Sequence, residues 1–197
     1  MRRTSARVSL LVIASLMTFA YARAQGAPDP WYGRQANPKN IDPPKTFPGM
    51  FSIELPKNWQ LAPGHTGTIF ATVEKTGRFE PGALITVEYL RLQAPLEPAL
   101  MVGASDRELK ELQARELSGK GFTGEVKKGP LGQFIAIRYS RPGLSGTDDH
   151  VVQYSFPSGT TMYRLICIAP AAAVEKYRPL FAHVAASFTP LRPAGTQ

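Results

Sequence analysis

The stretch Val151-Val-Gln-Tyr-Ser-Phe-Pro-Ser-Gly-Thr-Thr-Met-Tyr-Arg-Leu-Ile-Cys-Ile168 is the one from which the fold can be read. Two runs rich in β-branched and aromatic residues flank Ser158-Gly159, a dipeptide suited to a two-residue hairpin turn. Successive side chains alternate across a strand. Pairing Pro157 with Thr160 therefore predicts one face built from Val152, Tyr154 and Phe156 with Thr161, Tyr163 and Leu165. The next rung of that face sets His150 opposite Cys167. The other face holds Val151 with Ile166, Gln153 with Arg164 and Ser155 with Met162.

Upstream, Met50 to Leu55 alternates cleanly, with Phe51, Ile53 and Leu55 inward, and Pro56-Lys-Asn-Trp59 turns the chain. Ile69, Ala71 and Val73 mark a second strand, and Leu84 to Leu92 a third with a β-branched and aromatic centre. Ser105-Asp-Arg-Glu108 has the form of a capping box, in which the Ser hydroxyl and the Glu carboxylate satisfy amide donors at a helix start. It predicts a helix from there to Ser118, closed by Gly119, with Leu109, Leu112 and Leu117 buried and Glu111 and Arg115 an exposed pair. Phe122 to Lys127 and Gln133 to Tyr139 read as strands around the turn Lys128–Gly132, and a loop from Ser140 to Asp148 leads into the hairpin. Beyond it the period changes: Val174, Tyr177, Phe181, Val184 and Phe188 recur at helical spacing. Pro179 lacks an amide donor, so a short turn followed by a helix entered near Pro179 and ending at Ser187 is expected. The class is α+β.

The first residues belong to a different kind of segment. Arg2, Arg3 and Arg7 precede a mostly apolar run from Leu10 to Ala20, too short to span a bilayer, and Ala22-Arg23-Ala24 has the form of a cleavage site. Residues 1–24 are read as an export signal, which implies a periplasmic or secreted protein with no transmembrane segment in the mature chain. Residues 25–48 hold six of the 18 prolines and read as a linker or arm, with Trp31 and Tyr32 as candidate docking residues. The folded domain follows over 49–190, and 191–197 form a loose tail.

The formal charge of +8 shrinks once the signal is set aside, because Arg2, Arg3, Arg7 and Arg23 precede every acid. The remainder has 19 basic against 15 acidic residues, +4, with no stretch that interleaves bases and stacking aromatics. That balance gives no footprint for nucleic acid. The lone Cys167 excludes an internal disulfide and a thiolate metal cluster, and reads as a small apolar filler rather than a reactive thiol.

Motifs for chemistry are sparse. Gly119-Lys-Gly121-Phe-Thr-Gly124 matches a dinucleotide-binding string, but a helix precedes it and a strand follows, the reverse of what pyrophosphate binding needs. Asp148-Asp149-His150 is the densest set of possible metal ligands; Asp148 and His150 share a face and are the weak metal candidates, against a plainer reading as a polar strand entry. His65 and His183 lie apart from them. No serine is marked as an activated nucleophile, so no catalytic residue and no cofactor is assigned.

The pattern resembles the PsbP-like superfamily, which includes a Ran-GTPase-binding branch and many bacterial domains of unknown function. The carriers are Phe51-Ser-Ile-Glu-Leu-Pro-Lys-Asn-Trp59, Gly132-Gln-Phe-Ile-Ala-Ile-Arg-Tyr139, the hairpin Tyr154…Gly159…Tyr163, and Tyr177-Arg-Pro-Leu-Phe181 leading to Ser187-Phe188. The resemblance spans about 49–189 and implies an α/β/α sandwich around a mainly antiparallel sheet. It also implies a non-enzymatic partner or assembly role. The longer N-terminal signatures of the photosynthetic branch are missing, so only fold and broad role carry over. The expected function is an exported accessory protein that binds another protein or an envelope component through a sheet edge or the proline-rich arm. The alternative is a small-molecule or metal-binding protein, or a hydrolase, using residues 140–150.

Overall fold

A computed structural model describes residues 41–48, 50–62, 68–74, 82–143 and 146–191. A seven-stranded antiparallel sheet runs in the order β3-β4-β5-β9-β8-β7-β6, and a three-stranded sheet in the order β1-β2-β10. The strands are β1 (Lys45–Phe47), β2 (Phe51–Ile53), β3 (Trp59–Leu61), β4 (Thr68–Glu74), β5 (Leu84–Arg91), β6 (Lys120–Gly129), β7 (Gly132–Pro142), β8 (Asp148–Ser158), β9 (Thr161–Pro170) and β10 (Thr189–Pro190). Two helices, α1 (Met101–Arg115) and α2 (Val174–Ser187), lie on opposite faces of the large sheet. The expected α+β sandwich is what forms.

The hairpin β8–β9 occupies the middle of the large sheet, and both of its faces are composed as predicted. Its register is not. Val152 pairs with Cys167, Tyr154 with Leu165 and Phe156 with Tyr163, two residues away from the expected pairing. The connecting pair is Gly159-Thr160, with Gly159 at φ +57°. Glycine takes that left-handed conformation without a Cβ clash, and placing it first in the loop carries both strands one residue further. His150 consequently faces Ala169 rather than Cys167.

The face under α2 is aromatic. Phe51 and Phe188 stack at 5.1 Å, Phe188 and Phe156 at 5.1 Å, and Phe156 and Phe134 at 5.3 Å, so a continuous row joins the small sheet, the end of α2 and the large sheet. Tyr177, Phe181 and Val184 of α2 complete this cluster with Tyr154, Leu165 and Cys167. Pro179 lies inside α2, which runs unbroken after a 3₁₀ turn at Ala171–Ala173. The apolar stripe on either side of Pro179 is buried in one piece, and that burial outweighs one missing backbone bond.

The helix α1 begins at Met101, before the predicted start. Ser105 and Glu108 are therefore buried in its interior rather than capping it. The buried positions are Met101, Ser105, Glu108 and Leu112, whereas Leu117 lies beyond the helix and is 87% exposed. The end of the proline-rich segment joins the fold: β1 pairs with β2, and Ile41 makes a bridge to Pro56. At the other end β10 pairs Thr189 with Ser52 and Pro190 with Phe51.

Candidate interaction surface

The large sheet ends on one side in β3, three residues long, and on the other in β6, ten residues long. Among the described residues β6 pairs only with β7. In a strand, alternate residues direct their N–H and C=O to opposite edges, so half of these groups point away from β7. A shift of register between Lys120 and Thr123, with Gly121 at φ +67°, distorts the start of β6. The regular edge is Thr123 to Gly129. Gly124 sits beneath α1, where a Cβ would approach Leu109 at 3.4 Å and Ser105 at 3.5 Å. The glycine string 119–124 thus joins a helix end to an edge strand, as its order in the chain suggests.

Charge decorates this edge. Glu125 takes Lys127 at 2.8 Å and Arg138 at 2.9 Å, and Lys120 meets Asp148 at 3.0 Å. Lysines on an edge strand discourage pairing with a second copy of the same edge.

Of the sequence candidates, Asp148 opens β8 and is engaged by Lys120. His150 lies two residues further on the same strand, opposite Ser140 and Ala169, at the polar end of the face covered by α2. Burial, reinforced by the Arg138 and Arg178 guanidiniums, pushes the His150 imidazole below its usual range. Among the described residues no group of three or more His, Cys, Asp and Glu side chains gathers as a metal site would require. Cys167 is buried in the core, and burial holds its thiol far above the usual range. Trp31 and Tyr32 lie outside the described residues.

A cluster that sequence reading missed lies on the α1 face. Glu108 reaches across β8 to β9, where its Oε1 accepts hydrogen bonds from Arg164 Nε at 2.6 Å, Gln153 Nε2 at 2.8 Å and Ser155 Oγ at 3.0 Å. Its Oε2 has no hydrogen-bond partner among the described residues. The sequence held a partial signal: Gln153 and Arg164 were both assigned to one face of the hairpin. Nothing local tied Glu108 to them, because the partners stand 45 and 56 residues away. One carboxylate anchors α1 across two central strands.

No family model matches the chain, and no curated protein matches it. Solved structures do. Cyanobacterial PsbP from Synechocystis sp. PCC 6803 superposes with a TM-score of 0.55 over 72% of this chain and 86% of that one, at 12% identity. LpqN of Mycobacterium tuberculosis, described as involved in cell envelope biogenesis, has a TM-score of 0.49, 19% identity, and coverage of 80% and 100%. PA94 of Pseudomonas aeruginosa, a putative regulator of unknown function, has a TM-score of 0.49, 13% identity, and coverage of 80% and 99%. No helix among the described residues is long and apolar enough to cross a membrane. With its sheet order, its two opposed helices and this likeness, the chain has the PsbP-like fold.

Proposed function

We propose that this chain is an exported, non-enzymatic accessory protein that binds another protein or an envelope component, taking a strand of its partner onto the edge of β6. The carrying observation is the ten-residue strand that closes the large sheet with its outer edge open among the described residues. Strand addition supplies affinity through main-chain hydrogen bonds, and Lys128, the edge lysine with no carboxylate partner among the described residues, favours an acidic side chain beside it. The PsbP-like fold is compatible with such an accessory role. The arm carrying Trp31 and Tyr32 supplies a second contact, and its removable part ends at residue 40, since Ile41 and Lys45–Phe47 belong to the paired structure.

Neighbouring prolines on β6 test the edge. Of Lys127 and Lys128, one N–H points to β7 and the other outward. The proline variant at the outward position keeps the parent's melting temperature and loses its partner in co-purification from envelope extract; the inward one is destabilised. Retention of every partner by the outward variant overturns the edge reading. Deleting residues 25–40 then shows whether the arm adds to the contact.

A further inference from the structure

Between the end of β5 and the first turns of α1 lies a groove of about 640 Å³. Its floor is Leu92, Leu96 and Ala104, whose inner sides pack on the apolar cluster beneath α1. Leu100 stands at its rim, 59% exposed, and the wall at Gly103 is open, since a Cβ there would meet nothing within 4 Å. Aliphatic side chains supply most of the lining, and its two charged members are Arg91 and Arg107. Neither guanidinium is engaged by a carboxylate among the described residues. Glu97 and Asp106 are near in sequence but do not line the groove.

This combination has a chemical meaning. Apolar walls with a few polar groups at one margin suit a ligand with an apolar body and one polar head, and the volume falls in the range of about 300–1,000 Å³ usual for small-ligand sites. Two guanidiniums with no carboxylate partner among the described residues favour an anionic head, because arginine meets a carboxylate or phosphate through paired N–H donors. Among the described residues no acidic side chain lines the groove to receive a cation. We propose that the groove binds a single-chain anionic amphiphile, its alkyl chain along Leu92, Leu96 and Ala104 and its head on Arg91 and Arg107. The site is separate from the β6 edge and does not rest on the function proposed above.

Titration calorimetry on the purified protein tests this with decanoate, with decyltrimethylammonium as the same chain of opposite charge, and with acetate as the head without the chain. Decanoate binds and the other two do not. Arg107→Gln and Gly103→Leu each weaken decanoate by about tenfold or more, a change worth about 1.4 kcal/mol, the first by removing a cation and the second by filling the groove. Both variants retain the parent's unfolding midpoint, because Arg107 is exposed and Gly103 faces open space. The outward proline variant on β6 leaves decanoate affinity unchanged, which separates failure of this site from failure of the edge. Equal affinity for decyltrimethylammonium overturns the proposal, as does parental affinity in both groove variants. Binding confined to phosphatidylglycerol vesicles, or to an acidic peptide in place of decanoate, overturns it in favour of a membrane surface or a protein partner.

Discussion

The two faces of the large sheet are sealed by different physics. Under α2 the contact is a stack of rings, with Phe51, Phe188, Phe156 and Phe134 in sequence, and the one buried charged residue among those described, Glu108, lies on the other face. Under α1 the apolar cluster is smaller, and a buried carboxylate holds an arginine, an amide and a hydroxyl. Ring packing is non-directional and rewards area. A buried ion pair contributes little net stability, because desolvation offsets its attraction, but it penalises any displacement that separates the partners. The α2 face therefore carries the larger share of apolar burial, and the carboxylate cluster on the other fixes where α1 sits.

The largest effect should come from placing a charge on the aromatic side. Leu165→Asp sets a carboxylate in a fully buried position with apolar or aromatic partners, Tyr154 and Val87, on both neighbouring strands, and should cost about 4 kcal/mol or more in urea unfolding. A parental midpoint for this variant would mean that the two faces are assigned the wrong way round. On the other face Glu108→Gln leaves Arg164 without its counter-charge and should cost about 2–3 kcal/mol. The double variant Glu108→Leu with Arg164→Met should recover most of that loss, to within about 1 kcal/mol. If it recovers none, the cluster stabilises outright and the contrast between the faces weakens.

The hairpin shows what sequence could and could not supply. Its two faces were readable because alternation survives a two-residue slip; its register was not, because Ser158, Gly159 and Thr160 allow more than one turn and only glycine's φ decides. Ser105-x-x-Glu108 was misread for a related reason. The same string caps a helix when exposed and anchors one when an arginine waits on a distant strand. Leu117 and Met101 exchanged roles with it, one leaving the buried stripe and the other entering. The strands β2 and β4 to β9 and both helices were anticipated from local signals, but the short strands β1, β3 and β10 were not, because each is made by its pairing partner rather than by its own pattern. That β6 would be an edge was beyond reach, since neighbourhood in a sheet is set by the whole chain.

Smaller effects refine the comparison at its margins. The imidazole of His150 is held below its usual pKa in the folded state, so the unfolded chain takes up its proton first as pH falls. Its contribution is intact above about pH 6.5 and declines as pH drops from there toward the folded value. The parent should lose stability between about pH 7 and pH 5 more steeply than His150→Gln, read from urea midpoints across that window. Parallel curves would show that the polar end of the α2 face carries no linked proton. Least of all, Leu117→Glu should change stability by no more than about 0.5 kcal/mol, whereas the same change at Leu112 should be severe.

The pairing of β2 with β10 has a consequence for how the chain is made. These strands come from opposite ends of the domain, and the amide of Glu54 donates to the Ser187 hydroxyl at 3.1 Å across 133 residues. Contacts of such separation form late, and during synthesis they cannot form until the final strand has left the ribosome. Until then Phe51 lacks Phe188, the ring that links it to Phe156. A nascent chain stopped before residue 188 would therefore expose the aromatic face that the folded domain hides, and remain a substrate for chaperones until Phe188 and β10 arrive.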